Sequence, residues 1–575
     1  MKASDYIGTF LKEHGVKWVF EVAGGMLTHM LDSFYRQGDL RIISMHHEQG
    51  AGFAAETVGR ITGIPGVAMA TSGPGATNLV TAIGSCYFDS SPTVFITGQV
   101  NRCELKDYRP IRQLGFQETD IVSIALPITK AAWMIETPEK VPEALHQAFT
   151  IATSGRPGPV LLDIPMDLQR SDIPVPEDVD TKQTRRINDP VNNEMVEELF
   201  EQFHSSERPL ILAGGGIHSS KAEKLFRSFV QKVRVPVVNS LMAVDALAYS
   251  DPLRVGMIGS YGNRWANLAI GKCDFLLVLG SRLDIRQTGS DTKSFKGDRI
   301  IFHVDCEPGE INNRVMGCRA IVSDLQRFLI KALRVAGEQE FKDRRSWLEE
   351  INDLKNSWPD TGELSSISGI NPNIFMHQLS AVSRQAAAYT VDVGQSQMWA
   401  AQSLEIGSDQ RFLTSGGMGS MGFALPAAIG AALALSPRPV VVIAGDGGFQ
   451  LNIQELQTVA QNDLPIKMIV INNRCLGMVR QFQQSYFDSR YQSTLWGYGA
   501  PDFARVASAY GISANTVAAE TEIEKFLEKL WEDPEKPALL QVMIDTFTNV
   551  YPKIAFGKPM TEMEPFAKSI QMEEL

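Results

Sequence analysis

The sequence predicts an α/β protein built from three doubly wound parallel sheets. Short apolar, β-branched runs recur along the 575-residue chain and end on glycine or a polar tip, as expected of parallel strands covered on both faces. A segment of helical periodicity between two such runs reads as a βαβ unit. Two polar stretches, rich in proline or charge, divide the runs into three blocks of ordinary domain size.

The first block, residues 1–170, opens in an amphipathic helix and carries strand runs at 67–70, 93–97 and 160–164. Residues 171–193 read as a linker. The second block, 191–335, contains Arg208-Pro209-Leu210-Ile211-Leu212-Ala213-Gly214-Gly215-Gly216 and further runs at 275–280 and 300–305. A charged helical connector over about 338–356 and an irregular stretch to 371 precede the third block, 372–548. There Val440-Val441-Val442-Ile443-Ala444-Gly445-Asp446-Gly447-Gly448 closes one strand, and Ile469-Val470-Ile471-Asn472-Asn473 closes the next. Residues 451–462 between them have helical spacing and stop before Pro465. The two polar tips therefore meet at the carboxyl edge of a sheet, where open α/β sheets bind ligands. Oxygens of Asp446 and Asn473 suit Mg2+, and the glycines let a diphosphate approach the backbone at a helix start. A tail, 549–575, carries Tyr551-Pro552-Lys553 and Gly557, and reads either as a lid over the site or as a loose terminus.

Composition narrows the partners. With 54 Lys and Arg against 66 Asp and Glu, the net charge is -12, which argues against nucleic acid. No apolar run reaches the length of a membrane span, and the N-terminus lacks a signal-peptide core. Six cysteines without CxxC or zinc spacing read as reduced thiols, so a cytoplasmic location is expected.

Asp446-Gly447 followed by Asn472-Asn473 resembles the thiamine-diphosphate (ThDP) and metal motif of ThDP-dependent enzymes. The resemblance runs along nearly the whole chain and is strongest to the acetolactate synthase branch. It is carried by His47-Glu48-Gln49-Gly50-Ala51, Thr71-Ser72-Gly73-Pro74-Gly75-Ala76-Thr77-Asn78, Phe116-Gln117-Glu118 and Gly155-Arg156-Pro157-Gly158-Pro159-Val160. Ser415-Gly416-Gly417-Met418-Gly419-Ser420-Met421-Gly422 and Gly477-Met478-Val479-Arg480-Gln481 extend it. The implied fold is the pyrimidine-binding, middle and diphosphate-binding arrangement of the acetolactate synthase/pyruvate oxidase type.

The resemblance also implies roles. Glu48 hydrogen-bonds the cofactor's aminopyrimidine, and Met421 supports its bent shape while Gly419 receives the amine at its carbonyl. Asp446, Asn473 and the carbonyl of Cys475 hold Mg2+. Gln395 and Ser396 lie at diphosphate positions, Ser396 standing where acetolactate synthases have histidine. Gly25, Pro74 and Asn78 join Glu48 on the pyrimidine side. Gly445, Gly447, Gly448, Gly477, Met478 and Val479 join the diphosphate side. Because Glu48 and the metal motif belong to blocks that meet across a subunit interface in the family, a homodimer at minimum and a homotetramer are expected.

The same resemblance bears on the reaction. Once a 2-oxo acid has lost CO2, its acyl unit can be protonated, oxidised or transferred. Residues 101–117 contain no histidine to match the pair of pyruvate-decarboxylase-type enzymes, and Glu48 argues against glyoxylate carboligase. The expected activity is carboligation of pyruvate or a related 2-oxo acid with a carbonyl acceptor, with Phe116 and Gln117 lining the donor pocket. A decarboxylase, acyltransferase or oxidase of the same family is the alternative. On the acceptor side Phe482 replaces a tryptophan, Met166 a lysine, and Ile285-Arg286 an Asp-Arg pair; Arg286 keeps a guanidinium suited to a carboxylate. FAD stays open. Gly214 to Gly216, Gly259, Gly262, Asn267, Arg282 and Gly289 match the flavin groove. Ala243 and Asp245 stand where glycines are usual and are expected to intrude on a ligand.

Overall fold

The computed structural model describes residues 1–174, 191, 193–337 and 339–570. Most of the predicted linker 171–193, residue 338 of the connector and the acidic end of the tail, 571–575, lie outside the described residues.

Three six-stranded parallel sheets form the frame. The first contains β1 (Trp18–Val22), β2 (Arg41–Ser44), β3 (Gly66–Ala70), β4 (Thr93–Gln99), β5 (Ala131–Met134) and β6 (Pro159–Pro165). The second contains β7 (Pro209–Ala213), β8 (Val237–Asn239), β9 (Arg254–Met257), β10 (Phe275–Leu279), β11 (Ile300–Asp305) and β12 (Arg319–Val322). The third contains β13 (Ala388–Val391), β14 (Arg411–Thr414), β15 (Val440–Gly445), β16 (Ile466–Asn472), β17 (Ser513–Val517) and β18 (Ala538–Met543). The strand orders are β2-β1-β3-β4-β6-β5, β12-β11-β10-β7-β8-β9 and β14-β13-β15-β16-β18-β17. The first and third orders are the same when each sheet is counted from its own start, so these blocks share a fold. In both, the order reverses between the first and third strands of the sheet, which opens a crevice at their carboxyl ends.

The central strands are apolar because both faces are covered. β3, β4 and β6 are buried throughout, as is β15 except at Gly445. Each fully buried Val, Leu or Ile there contributes about 1.5–3 kcal/mol. The first and third sheets are joined by two helices, Glu48–Thr62 and Ala424–Ala434, which share one core. The second helix (ALPAAIGAALA) can come this close because it is built from small residues. A Cβ at Gly430 would sit 2.2 Å from the carbonyl oxygen of Ala54, so Gly430→Val would force the helices apart. Phe53 and Phe423 meet edge to face at 5.4 Å in the same seam.

One element differs from expectation. The helix expected over 451–462 instead begins at the motif itself, as Asp446–Leu451, and breaks at Asn452 before a short turn and Leu456–Gln461. The break follows from Asn452, whose Nδ2 donates to the Gly422 carbonyl and to Gln49 Oε1. The tail is not loose: β19 (Lys553–Ile554) and β20 (Met563–Glu564) form an antiparallel ribbon against the second and third blocks. Among the described residues no helix is long and apolar enough to cross a membrane, and all six cysteines are unpaired.

Candidate functional site

The third sheet brings its candidate residues together at one edge. Asp446 is the first residue of its short helix, and Gly445, extended in backbone, caps it. The glycines have steric reasons to be glycine. A Cβ at Gly448 would strike Asp392 Oδ1 at 2.3 Å, and one at Gly477 would strike Gln395 Oε1 at 1.8 Å. A Cβ at Gly447 would lie 2.4 Å from Leu476 and 3.4 Å from Met421 Cε, which puts Met421 beside the motif. Gly419 turns at φ +70° with open space on its Cβ side.

Polar atoms converge there. Asn473 Nδ2 donates to Gln395 Oε1 at 2.9 Å, and Asn473 Oδ1 accepts from the Cys475 amide at 3.2 Å. Asp446 is buried, and burial pushes its carboxyl up to about 7 despite hydrogen bonds from the Gly447 amide and the Tyr498 hydroxyl. Asp446 Oδ2 and Ser396 Oγ are both buried without a hydrogen-bond partner. An orphaned carboxylate oxygen in a site this dry is costly unless a cation or donor completes it. The residues therefore fit a cation held by Asp446, Asn473 and the Cys475 carbonyl, with a diphosphate against Gly445, Ser396 and Gly477. One carboxylate and two amide-type oxygens leave most of a hard cation's coordination open, so this donor set suits an ion that also takes phosphate and water oxygens.

Two supporting carboxylates escaped the sequence reading. Asp392 accepts from the Gly422 and Ala424 amides at 3.0 and 2.9 Å, fixing the turn that carries Met421; burial pushes it up to about 6. Asp89, from the first block, accepts from the Gly416 and Gly417 amides at 3.0 and 2.6 Å. The signal available was the run of glycines at 416–422, whose free amides need acceptors.

The first sheet supplies a second cluster. Glu48 begins its helix, is only 9% exposed, and its Oε2 accepts from Asn78 Nδ2 at 2.9 Å. Gly75 packs on its Oε1. Pro74 follows Gly73, whose φ of +68° turns the chain into the next helix, and Gly25 opens the turn after β1 with free space around it. Gln117 has φ +67° and lies against Gly73, while Phe116 is 80% exposed. Glu118 holds their loop by accepting from the Lys106 and Leu114 amides. Within one chain, the start of the Glu48 helix is tied to the third block through Gln49–Asn452 and through His46 N to Glu455 Oε1 at 3.0 Å.

Of the remaining candidates, Met478 and Val479 lie in the first turn of the helix Gly477–Tyr486, Val479 exposed. Phe482, one turn on, is partly exposed and packs against Tyr486 at 4.7 Å. Arg286 lies on the second block and lines a cavity of about 640 Å3 between the three sheets. Its walls include Arg60, Gly215, Gly216, Arg282, Asp305 and Met398. The expected intrusion of Ala243 and Asp245 does not occur. Ala243 packs into the second core, and Asp245 turns into a buried ion cluster, 2.8 Å from both His218 and Arg411. The cavity stays open because these side chains point into the protein.

Comparison with known proteins agrees with this geometry. Residues 392–542 match the thiamine pyrophosphate enzyme C-terminal TPP binding domain, residues 1–124 its N-terminal TPP binding domain, and residues 196–332 its central domain. The chain is 37% identical to a probable acetolactate synthase large subunit of Methanocaldococcus jannaschii, over 100% of this chain and 98% of that protein. It is 35% identical to the acetolactate synthase large subunit of Cyanidium caldarium, over 98% and 96% of the two chains. It is 34% identical to the acetolactate synthase isozyme 2 large subunit of Escherichia coli, over 98% and 99%. The two clusters and the full-length similarity together identify the chain as a member of the thiamine pyrophosphate enzyme family, a ThDP-dependent transferase of the acetolactate synthase kind.

Proposed function

We propose that the protein is a ThDP- and Mg2+-dependent carboligase that decarboxylates pyruvate or a related 2-oxo acid and transfers the acyl unit to a carbonyl acceptor. The observation that carries this reading is the buried, unpartnered Asp446 Oδ2 beside Asn473 and Gln395. Bound ThDP supplies the electron sink that accepts the acyl unit as CO2 leaves. The protein's part is binding, orientation and exclusion of water. Asp446, Asn473 and the Cys475 carbonyl hold the metal, and Gln395, Ser396 and the glycines at 445, 447, 448 and 477 bind the diphosphate. Glu48 holds a proton at the pyrimidine nitrogen, with Asn78 orienting its carboxyl group. Phe116 and Gln117 border the donor; Arg286 and Phe482 border the acceptor.

The two clusters lie on separate blocks, and the family resemblance, in which such blocks meet across a subunit interface, supports a site shared between subunits of a homodimer, and a tetramer of such dimers. We read the blocks as 1–170, 191–335 and 372–548 with a tail 549–575, a division that the three separate sheets support. FAD is a candidate occupant of the cavity between the sheets, a reading supported by Arg282 and Arg286, which would offer cations to its diphosphate, and by Asp305, which would offer a carboxylate to a ribose.

The test is to incubate pure protein with ThDP, Mg2+ and pyruvate, alone and with aldehyde and ketone acceptors, reading products by mass spectrometry with Glu48→Gln as control. A hydroxyketone or 2-hydroxy-3-oxo acid product is expected. Aldehyde, acyl phosphate or peroxide would reassign the enzyme to another member of the family.

A further inference from the structure

The tail bridges the two blocks that carry the acceptor-side residues. On one side is the second block, where Ser260 N donates to the Arg286 carbonyl at 2.6 Å. On the other is the helix Gly477–Tyr486, which carries Phe482. The tail bonds to both. The Ile554 amide donates to the Ser260 carbonyl at 2.9 Å, so tail, Ser260 and Arg286 form one backbone chain of hydrogen bonds. Val550 and Gln481 exchange two bonds, Val550 N to Oε1 at 2.9 Å and Nε2 to Val550 O at 3.0 Å. Gln395, at the metal motif, bonds within its own block, donating to Thr548 O, the residue before the tail, at 3.0 Å.

At the crossing lies a pair of opposite charges with little access to water. Lys553 Nζ is 3.1 and 3.3 Å from the two Glu564 oxygens and 3.4 Å from the Tyr486 hydroxyl; the two charged side chains are 10% and 12% exposed. Ser569 closes the ring, donating to Glu564 Oε1 at 2.7 Å while pairing with the Tyr486 hydroxyl at 3.1 Å. The Lys553 ammonium also stands over the Tyr486 ring at 4.9 Å, and that ring packs on Phe482. Tyr261, next to Ser260, is buried within electrostatic reach of Lys553, Arg286, Glu564 and Tyr486. A buried pair contributes little net stability, because desolvation offsets its attraction, but it fixes geometry wherever one partner left alone would be an unpaired buried charge.

We infer that Lys553 and Glu564 are positioning residues for the acceptor: their pair, with Tyr486 and Ser569, locks the tail across Phe482 and Arg286 and so sets the acceptor pocket. This rests on the carboligase reading above. The pair bonds the far end of the helix and the tail, away from Asp446 and Glu48, so breaking it should spare the donor half of the reaction.

The experiment uses the full-length enzyme with ThDP, Mg2+ and pyruvate and the acceptor the wild type uses. Lys553→Met keeps the buried stem without the charge, and Glu564→Gln keeps the shape. Expected are an acceptor KM raised by about tenfold or more, pyruvate KM and acceptor-free CO2 release within about twofold of wild type, and recovery of most of the loss in Lys553→Arg. Hydrogen exchange of the cofactor-loaded variants should quicken in 481–486 and 550–564 while 440–479 is unchanged. Equal losses on donor and acceptor, or an unchanged acceptor KM with unchanged exchange, would overturn the inference alone. A wild type that transfers to no acceptor would overturn the carboligase reading and this inference with it.

Discussion

The first and third sheets have the same strand order yet end in different chemistry. Counting strands within each sheet, the first leads to Gly25 in one and to Gln395 in the other. The second leads to Glu48 or to Gly419 and Met421, the third to Pro74 or Asp446, and the fourth to Phe116 and Gln117 or Asn473. The apolar strands are interchangeable in kind; the residues just past their carboxyl ends are not. One sheet offers a buried carboxyl held by Asn78, the other a dry oxygen set with tightly packed glycines. A fold of this type fixes where a ligand lies, and the tips decide what the ligand is.

Substitution at each tip sharpens that contrast. Both Glu48→Gln and Asp446→Asn should lower turnover by about 10²–10⁴-fold, the scale of a lost proton-transfer group or electrostatic partner. They should differ in binding: calorimetry is expected to find ThDP and Mg2+ retained by the first variant and lost by the second. Equal retention by both would remove the division of labour between the sheets.

Mixing the two inactive variants tests whether the halves combine across subunits. If each site takes Glu48 from one chain and Asp446 from its partner, every mixed dimer has one intact site. Random exchange then restores about a quarter of wild-type activity, half of the dimers each with half of its sites intact. No recovery after verified exchange would place both residues of a site in one chain.

The metal half should respond to pH where the other half does not. Burial raises Asp446 to about 7, so below that pH a proton competes with the cation for the same carboxylate. Mg2+ affinity should fall by up to about tenfold per pH unit below 7 and level off above it. Titrations at pH 6, 7 and 8 check this; a flat profile would show that Asp446 is not a ligand.

The smallest expected effect concerns the joint between the sheets. Burial pushes Glu455 up to about 7, against hydrogen bonds from Thr458 and the amides of His46 and His47. The folded protein therefore holds this proton more tightly than the unfolded chain does. The stabilising contribution is full below pH about 4.5 and is lost as pH rises through about 7. Glu455→Gln should have a Tm close to wild type at pH 5 and move upward relative to it by pH 8, by differential scanning calorimetry. A Tm difference independent of pH would mean the carboxyl stays ionised.

Much of the site was legible before the structure because it depends on short motifs at strand ends. Asp446 and Asn473 stand at the ends of β-branched runs, and Glu48 follows a polar turn into an alanine- and glycine-rich helix. Asp392 and Asp89 were not legible as supports. Each is bonded to amides 30 or more residues away, and sequence spacing does not report which glycine amides lack partners. The steric argument at Ala243 and Asp245 failed for the same reason. The identity of a residue does not tell which way its side chain points, and the pull of His218 and Arg411 decided it.

By itself the sequence determined three α/β blocks, the polar strand tips and the ThDP family, because strand periodicity, glycine spacing and local motifs are short-range properties. Only the tertiary structure decided that the first and third blocks repeat one strand order, that a cavity stays open between the sheets, and that the tail binds across the second and third blocks. Those depend on contacts between residues hundreds of positions apart, where packing and the pairing of buried charges settle the arrangement.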